Sequence, residues 1–141
     1  MKLFILLNHA LTQEQMTDLE SMGVEEMIYL DRAHTGGQGE SEYHTSAQQV
    51  PWAQIPPQAR QIAPLLEGYC QRLQSEARRG DYLLVQGDFG ATYIIVECAK
   101  SLGLIPIYAT TLRESREHKA PDGSISKQSL FKHCLFRIYG E

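Results

Sequence analysis

Asp81-Tyr82-Leu83-Leu84-Val85-Gln86-Gly87-Asp88-Phe89-Gly90-Ala91-Thr92 decides the fold. An apolar run over 81–85 gives way to a polar, glycine-bearing turn over 86–92. Residues 93–102 then read as an apolar-rich helix closed by Gly103, and 104–109 as another strand. A strand, a tight turn, a helix and a second strand make one parallel crossover unit. The same alternation opens the chain. Residues 2–7 are nearly all apolar, as a strand buried on both faces should be. Thr12 with Gln15 makes a capping box, Met16, Leu19 and Met22 follow at helical spacing, and Gly23 stops the helix. A short strand over 27–30 completes β–α–β.

The intervening segment is less regular. Residues 31–51 carry Gly36, Gly37 and Gly39 among polar residues without a hydrophobic period, which predicts a flexible loop or lid. Trp52, Ile55 and Pro56-Pro57 then lead to a helix whose apolar face holds Ile62, Leu65, Leu66, Tyr69, Cys70, Leu73 and Ala77. It should end at Arg78-Arg79-Gly80, with Pro64 delaying or kinking its first turns. Near the end, segments 110–119 and 126–139 flank Pro121-Asp122-Gly123, a turn signal for an antiparallel hairpin. The expected fold is α/β. It is a Rossmann-like three-layer sandwich over residues 1–141, with a parallel core sheet of order 2-1-3-4 and the C-terminal hairpin added at one edge. Ligands of such sheets lie beyond the strand C-termini where strand order reverses, here between the first and third strands.

Composition narrows the ligand. The 141 residues carry a formal net charge of −4, which disfavours a surface for long nucleic acid. Residues 1–99 hold 6 basic and 13 acidic residues, whereas 100–141 hold 7 basic and 4 acidic. A basic last third on an acidic chain suits one compact anion, or else is a solvated charged hairpin. The 3 cysteines, Cys70, Cys98 and Cys134, are spaced too widely for a zinc motif and read as buried reduced thiols. No metal site and no cofactor are expected. With no leader-like segment and no membrane-length apolar run, the expected compartment is the cytoplasm and no membrane partner is expected.

Three loops over the strand ends carry candidate chemistry. Gln86, Gly87, Asp88, Phe89, Gly90, Ala91 and Thr92 form the strongest. Gly87 and Gly90 permit positive φ and close backbone approach, and a helix opening near Ala91 would aim free N–H groups at a phosphate. The segment is neither a Walker loop nor a dinucleotide fingerprint, and a plain capped turn is the competing reading. Asn8-His9 follows the first strand, where His9 could move a proton and Asn8 could bond a base or simply cap. Thr110-Thr111 with Arg113, and Arg116 beyond, suit a phosphodiester; an Arg113–Glu117 pair on an exposed hairpin is the alternative. Lys127 lies on the returning strand, and alternation sets Lys132 and His133 on opposite faces. No Gly-x-Ser-x-Gly elbow and no dense acidic cluster is present, against serine-hydrolase or two-metal nuclease chemistry.

Together with Trp52…Ile55-Pro56-Pro57 and Ile105-Pro106-Ile107-Tyr108-Ala109-Thr110-Thr111-x-Arg113, these motifs resemble small CRISPR-associated accessory proteins of type III systems. Those proteins are related to CARF (CRISPR-associated Rossmann fold) domains. The resemblance implies a ring nuclease: a metal-independent homodimer that degrades cyclic oligoadenylate, such as the tetra-adenylate, to linear products with a 2′,3′-cyclic phosphate. On it, His9 would transfer protons and Arg113 with Arg116 or Lys127 would stabilise developing charge. Residues 87–92 would hold phosphate, and Phe89 would stack on adenine or else plug the core. A protein that sequesters the ring uncut, or an enzyme on small nucleotides, are the competing functions.

Overall fold

Five strands form one mixed sheet in the order β2-β1-β3-β4-β5 in a computed structural model that describes residues 1–32 and 50–141. The elements are β1 (Lys2–Leu6), α1 (Gln13–Ser21), β2 (Glu26–Tyr29), a 3₁₀ turn (Trp52–Gln54), α2 (Ala63–Glu76), β3 (Tyr82–Val85), α3 (Phe89–Ser101), β4 (Ile105–Lys119) and β5 (Ile125–Ile138). The first four strands run parallel in the expected 2-1-3-4 order, and β5 is antiparallel to β4. The expected loop over 31–51 falls largely on residues 33–49, outside the described residues.

Both faces of the sheet are covered. Phe4, Leu6, Leu83 and Val85 meet Leu66, Tyr69 and Leu73 of α2 and Ile95 and Ala99 of α3. Leu3, Ile5, Leu84 and Ile107 face the other way, against Leu19 of α1 and Phe136 and Ile138 of β5. That two-sided burial is why β1 and β3 read as unbroken apolar runs. Arg72 of α2 fastens the end of β2 by donating to the Tyr29, Leu30 and Arg32 carbonyls at 3.2, 3.0 and 3.0 Å.

The helix ends follow local chemistry. Thr12 Oγ1 accepts the Gln15 N–H at 3.2 Å while Gln15 Oε1 accepts the Thr12 N–H at 3.0 Å, the expected reciprocal cap. Pro64 occupies the first turn of α2, where its missing N–H has no helical partner to lose, and the helix continues unbroken to Glu76. It stops before Arg78-Arg79-Gly80 because Asp81 captures the chain there. Its carboxylate accepts the Arg78 N–H at 2.8 Å and the Lys2 N–H at 3.1 Å. Helix α3 starts at Phe89, four residues before the expected 93, since Asp88 Oδ1 accepts the Ala91 N–H at 2.9 Å and caps it.

The hairpin departs most from expectation. β4 is a single 15-residue strand, not a short strand followed by a separate hairpin. β3 pairs with it only as far as Ile107, while β5 pairs from Ile107 to Lys119 with a bulge between Thr110 and Thr111. The outer part is therefore a two-stranded arm projecting past the carboxyl edge of the sheet. At its tip Gly123 adopts φ +86°. The Ser124 hydroxyl and N–H donate to Asp122 at 2.6 and 2.9 Å, holding that carboxyl below its usual range.

The cysteines correct the sequence expectation of three buried thiols. Cys134 is exposed, whereas Cys70 and Cys98 are half-buried. Burial and the neighbouring Cys98 thiol push the Cys70 thiol up to about 12, which keeps it protonated and unreactive at neutral pH. Among the described residues no helix is long and apolar enough to cross a membrane.

Candidate functional site

The end of β3 is tied on three sides through Gln86. Its N–H donates to the Leu6 carbonyl at 3.1 Å, joining β1. Its carbonyl accepts the Trp52 indole N–H at 2.8 Å, and its Oε1 accepts the Ala109 N–H at 2.9 Å where β4 leaves the sheet. Gly87 follows because there is no room for a side chain: a Cβ there would stand 2.6 Å from Trp52 Nε1. Positive φ is not the reason. Neither Gly87 nor Gly90 adopts it, which corrects the sequence expectation. Replacing Gly87 with alanine is expected to displace the indole and cost about 1–3 kcal/mol as overpacking. Urea unfolding checks this, and an unchanged midpoint would mean that Trp52 yields freely.

Beside this knot opens a pocket of about 480 Å³, bounded by Gln86 and Gly87, by Phe89, Thr92, Tyr93 and Val96 of α3, and by Tyr108 and Tyr139. Half of these residues are aromatic. Tyr108 and Tyr139 lie with ring centroids 4.6 Å apart. Arg137 sits over the Tyr108 ring at 5.6 Å and donates to its hydroxyl at 3.2 Å. Phe89 is 95% exposed and Tyr93 68%, an unusual display of aromatic surface at the start of a helix. Tyr139 donates its hydroxyl to the Val85 carbonyl at 2.6 Å. Burial and the neighbouring Tyr108 raise its pKa, and the bond to Val85 fixes the ring as a wall of the pocket. Thr92 Oγ1 is buried without a hydrogen-bond partner, an uncommon state for a hydroxyl.

Four residues expected at the site, Gln86, Gly87, Phe89 and Thr92, line this pocket. Asp88 caps α3 beside it and sets a carboxylate where a phosphate would approach the helix terminus. Gly90 packs toward Ile62, and Ala91 is fully buried in the core, with its N–H given to Asp88; neither wall of the pocket uses them. Asn8 and His9 are exposed at the same edge of the sheet, on the turn leading to α1, across the sheet from α3. His9 Nδ1 donates to the Ala10 carbonyl at 3.2 Å, which leaves Nε2 as the acceptor in the neutral ring.

The remaining candidates lie on the arm. Thr110 Oγ1 exchanges hydrogen bonds with the Leu135 carbonyl and N–H at 3.1 and 3.3 Å, pinning the bulge. Arg113 donates to Ser129 Oγ at 3.2 and 3.0 Å, in place of the expected Glu117 pair. Register sets Thr111, Arg113 and Lys127 on the α1-side face of the ribbon and Arg116 on the pocket-side face. At about 3.3 Å per residue, Arg113, Arg116 and Lys127 stand about 16, 26 and 30 Å beyond Tyr108 along the arm. They do not converge on the pocket of their own chain. His133 turns to the α1 side as alternation requires, its Nε2 2.7 Å from Asp18 Oδ2, while Lys132 pairs with Glu114 at 3.7 Å on the other face.

Sequence reasoning missed Tyr93, Tyr108, Tyr139 and Arg137. Tyr93 was detectable as the residue one helical turn after Phe89. The other three come together only through the β4–β5 register. Among the described residues no group of three or more His, Cys, Asp or Glu could hold a metal ion.

No solved structure matches the chain. A protein of Methanocaldococcus jannaschii, described as uncharacterized protein MJ1673, is 38% identical over 139 residues, covering 98% of this chain and 96% of its own length. Neither that description nor the family's names an activity. The family model of the uncharacterized protein MJ1673 family matches residues 1–137, and the chain belongs to that family.

Proposed function

We propose that this protein binds cyclic oligoadenylate at the aromatic pocket and cleaves it without a metal, as a CARF-like ring nuclease that switches off type III CRISPR signalling in the cytoplasm. One observation carries the reading. A pocket with four exposed or half-buried aromatic rings and an unpartnered Thr92 hydroxyl opens past the carboxyl end of β3, between α3 and the β4–β5 edge of the sheet. Aromatic walls hold flat purines through stacking, and a buried hydroxyl with no partner gains a bond when a polar ligand edge arrives.

The reaction asks little of the protein. A ribose 2′-hydroxyl attacks the adjacent phosphorus in line, the P–O5′ bond breaks, and a 2′,3′-cyclic phosphate and a 5′-hydroxyl result. The 2′ proton passes to His9 Nε2 and returns to O5′. Arg113, Arg116 or Lys127, standing too far out on their own arm, would act from a second copy to offset the charge gathering on the phosphoryl oxygens. Incubation with radiolabelled cyclic tetra-adenylate in EDTA is expected to yield linear products. Intact rings after hours at saturating protein would contradict cleavage.

A second reading has its own support. Among the described residues, those lining the pocket include no histidine, lysine or carboxylate, which suits a protein that sequesters the ring uncut. Phe89 tests the binding that both readings share. Being almost wholly exposed, it contributes little to folding, so Phe89→Ala should leave the melting temperature nearly unchanged. Loss of one stacked base should weaken binding of cyclic tetra-adenylate by about 1–3 kcal/mol by calorimetry. Equal affinity would place the base elsewhere.

A further inference from the structure

The exposed apolar side chains of the described residues gather in two patches, with Met1 apart. One is Phe89 and Tyr93 at the start of α3, and the other is the arm, with Leu112, Ile125, Leu130, Phe131 and Leu135. A two-stranded ribbon with no helix behind it is marginal in water, and both of its edges present unpaired backbone. Leu112, Leu130 and Leu135 share the pocket-side face with Arg116. That face runs outward from the chain's own pocket, so the two apolar patches of one molecule cannot cover each other.

Charge identifies what can cover them. Residues 111–132 hold 5 basic and 3 acidic residues, and the rest of the chain holds 8 basic and 14 acidic. A cationic, leucine-bearing arm and an acidic body with bare aromatics are complementary, and both belong to the same sequence. A two-fold axis would satisfy each patch twice. We propose that the β4–β5 arm of one protomer lies across the pocket of a second copy, carrying Arg116 to the rim of a site that its own chain's Arg116 does not reach.

The docking stands on surface and charge alone. Only the use of Arg116 against a phosphodiester rests on the nucleotide reading above. In trans, the arm supplies a cation that the described lining of the pocket lacks, and the site draws on both members of the pair.

Two ligand-free measurements test this. In sedimentation velocity the full chain is expected to run as a dimer, and Leu112→Glu with Leu130→Glu as a monomer with unchanged circular dichroism. Next, subunits bearing Cys134→Ser with Gln128→Cys, opposite Arg116, are mixed with differently sized subunits bearing Cys134→Ser with Glu97→Cys on α3. A short bismaleimide is expected to join the two sizes, with yield falling to the Cys134→Ser background when the leucines are replaced. A monomeric wild type, a dimer indifferent to the leucine changes, or a dimer without this cross-link would each overturn the proposal. Cyclic tetra-adenylate enters neither experiment, so failure of the nucleotide reading leaves their outcome intact. Conversely, nucleotide binding without the cross-link removes only the arm.

Discussion

Replacing Trp52 with alanine is expected to lower the unfolding free energy by about 3–5 kcal/mol, the cost of emptying a large buried aromatic site. The ring is 1% exposed and meets Tyr69 edge-on with centroids 6.1 Å apart. Its N–H also satisfies the Gln86 carbonyl at the point where β1, β3 and β4 are joined. Loss of the indole removes packing and strands a part-buried acceptor together, and the second effect adds about 1 kcal/mol. Trp52→Phe separates the two, since it keeps most of the packing and discards the bond. Urea unfolding followed by circular dichroism measures both, because Trp52 is the single tryptophan of the chain and fluorescence is lost with it. A destabilisation of less than about 1 kcal/mol for the alanine variant would show that the knot is not what fixes the edge of the sheet.

The second large effect concerns chemistry. His9→Ala is expected to slow single-turnover cleavage of cyclic tetra-adenylate by about 10²-fold or more, the usual worth of a general acid or base, with affinity retained. His9 is exposed on a turn outside the hydrophobic core, so its removal should not disturb folding. The bond from Nδ1 to Ala10 fixes the neutral tautomer in which Nε2 accepts a proton. His9→Gln would preserve a polar side chain without proton transfer and should behave like alanine. An undiminished single-turnover rate would remove His9 from the mechanism and leave the proton to the ligand or to solvent.

The sequence made the strand order and both cores readable for a physical reason. Strands buried on two faces must be apolar throughout, and helices announce themselves by a cap, as Thr12 with Gln15 does, or by spacing, as Leu66 with Tyr69 and Leu73 does. The start of α3 was misjudged because Phe89, an apolar residue pointing to solvent, breaks the helical period just where Asp88 begins the helix. The length of β4 was misjudged for a related reason. A ribbon exposed on both faces carries no alternation that distinguishes strand from loop. Gly87 was recognised as a place of close approach, but its neighbour is an indole from 35 residues upstream, which only the folded chain reveals. Tyr108, Tyr139 and Arg137 were invisible as a group, since antiparallel register, not sequence proximity, assembles them. The cations of the arm were grouped by charge alone, and alternation divides them between two faces.

The most direct test is a titration of isotopically labelled protein with cyclic tetra-adenylate, following backbone amides by NMR. The account predicts that the largest shifts fall on Gly87, Phe89, Thr92, Tyr93 and Tyr108, around one pocket. Shifts confined to the opposite end of the sheet, near Lys2 and Arg78, or none at all at saturating ligand, would contradict it.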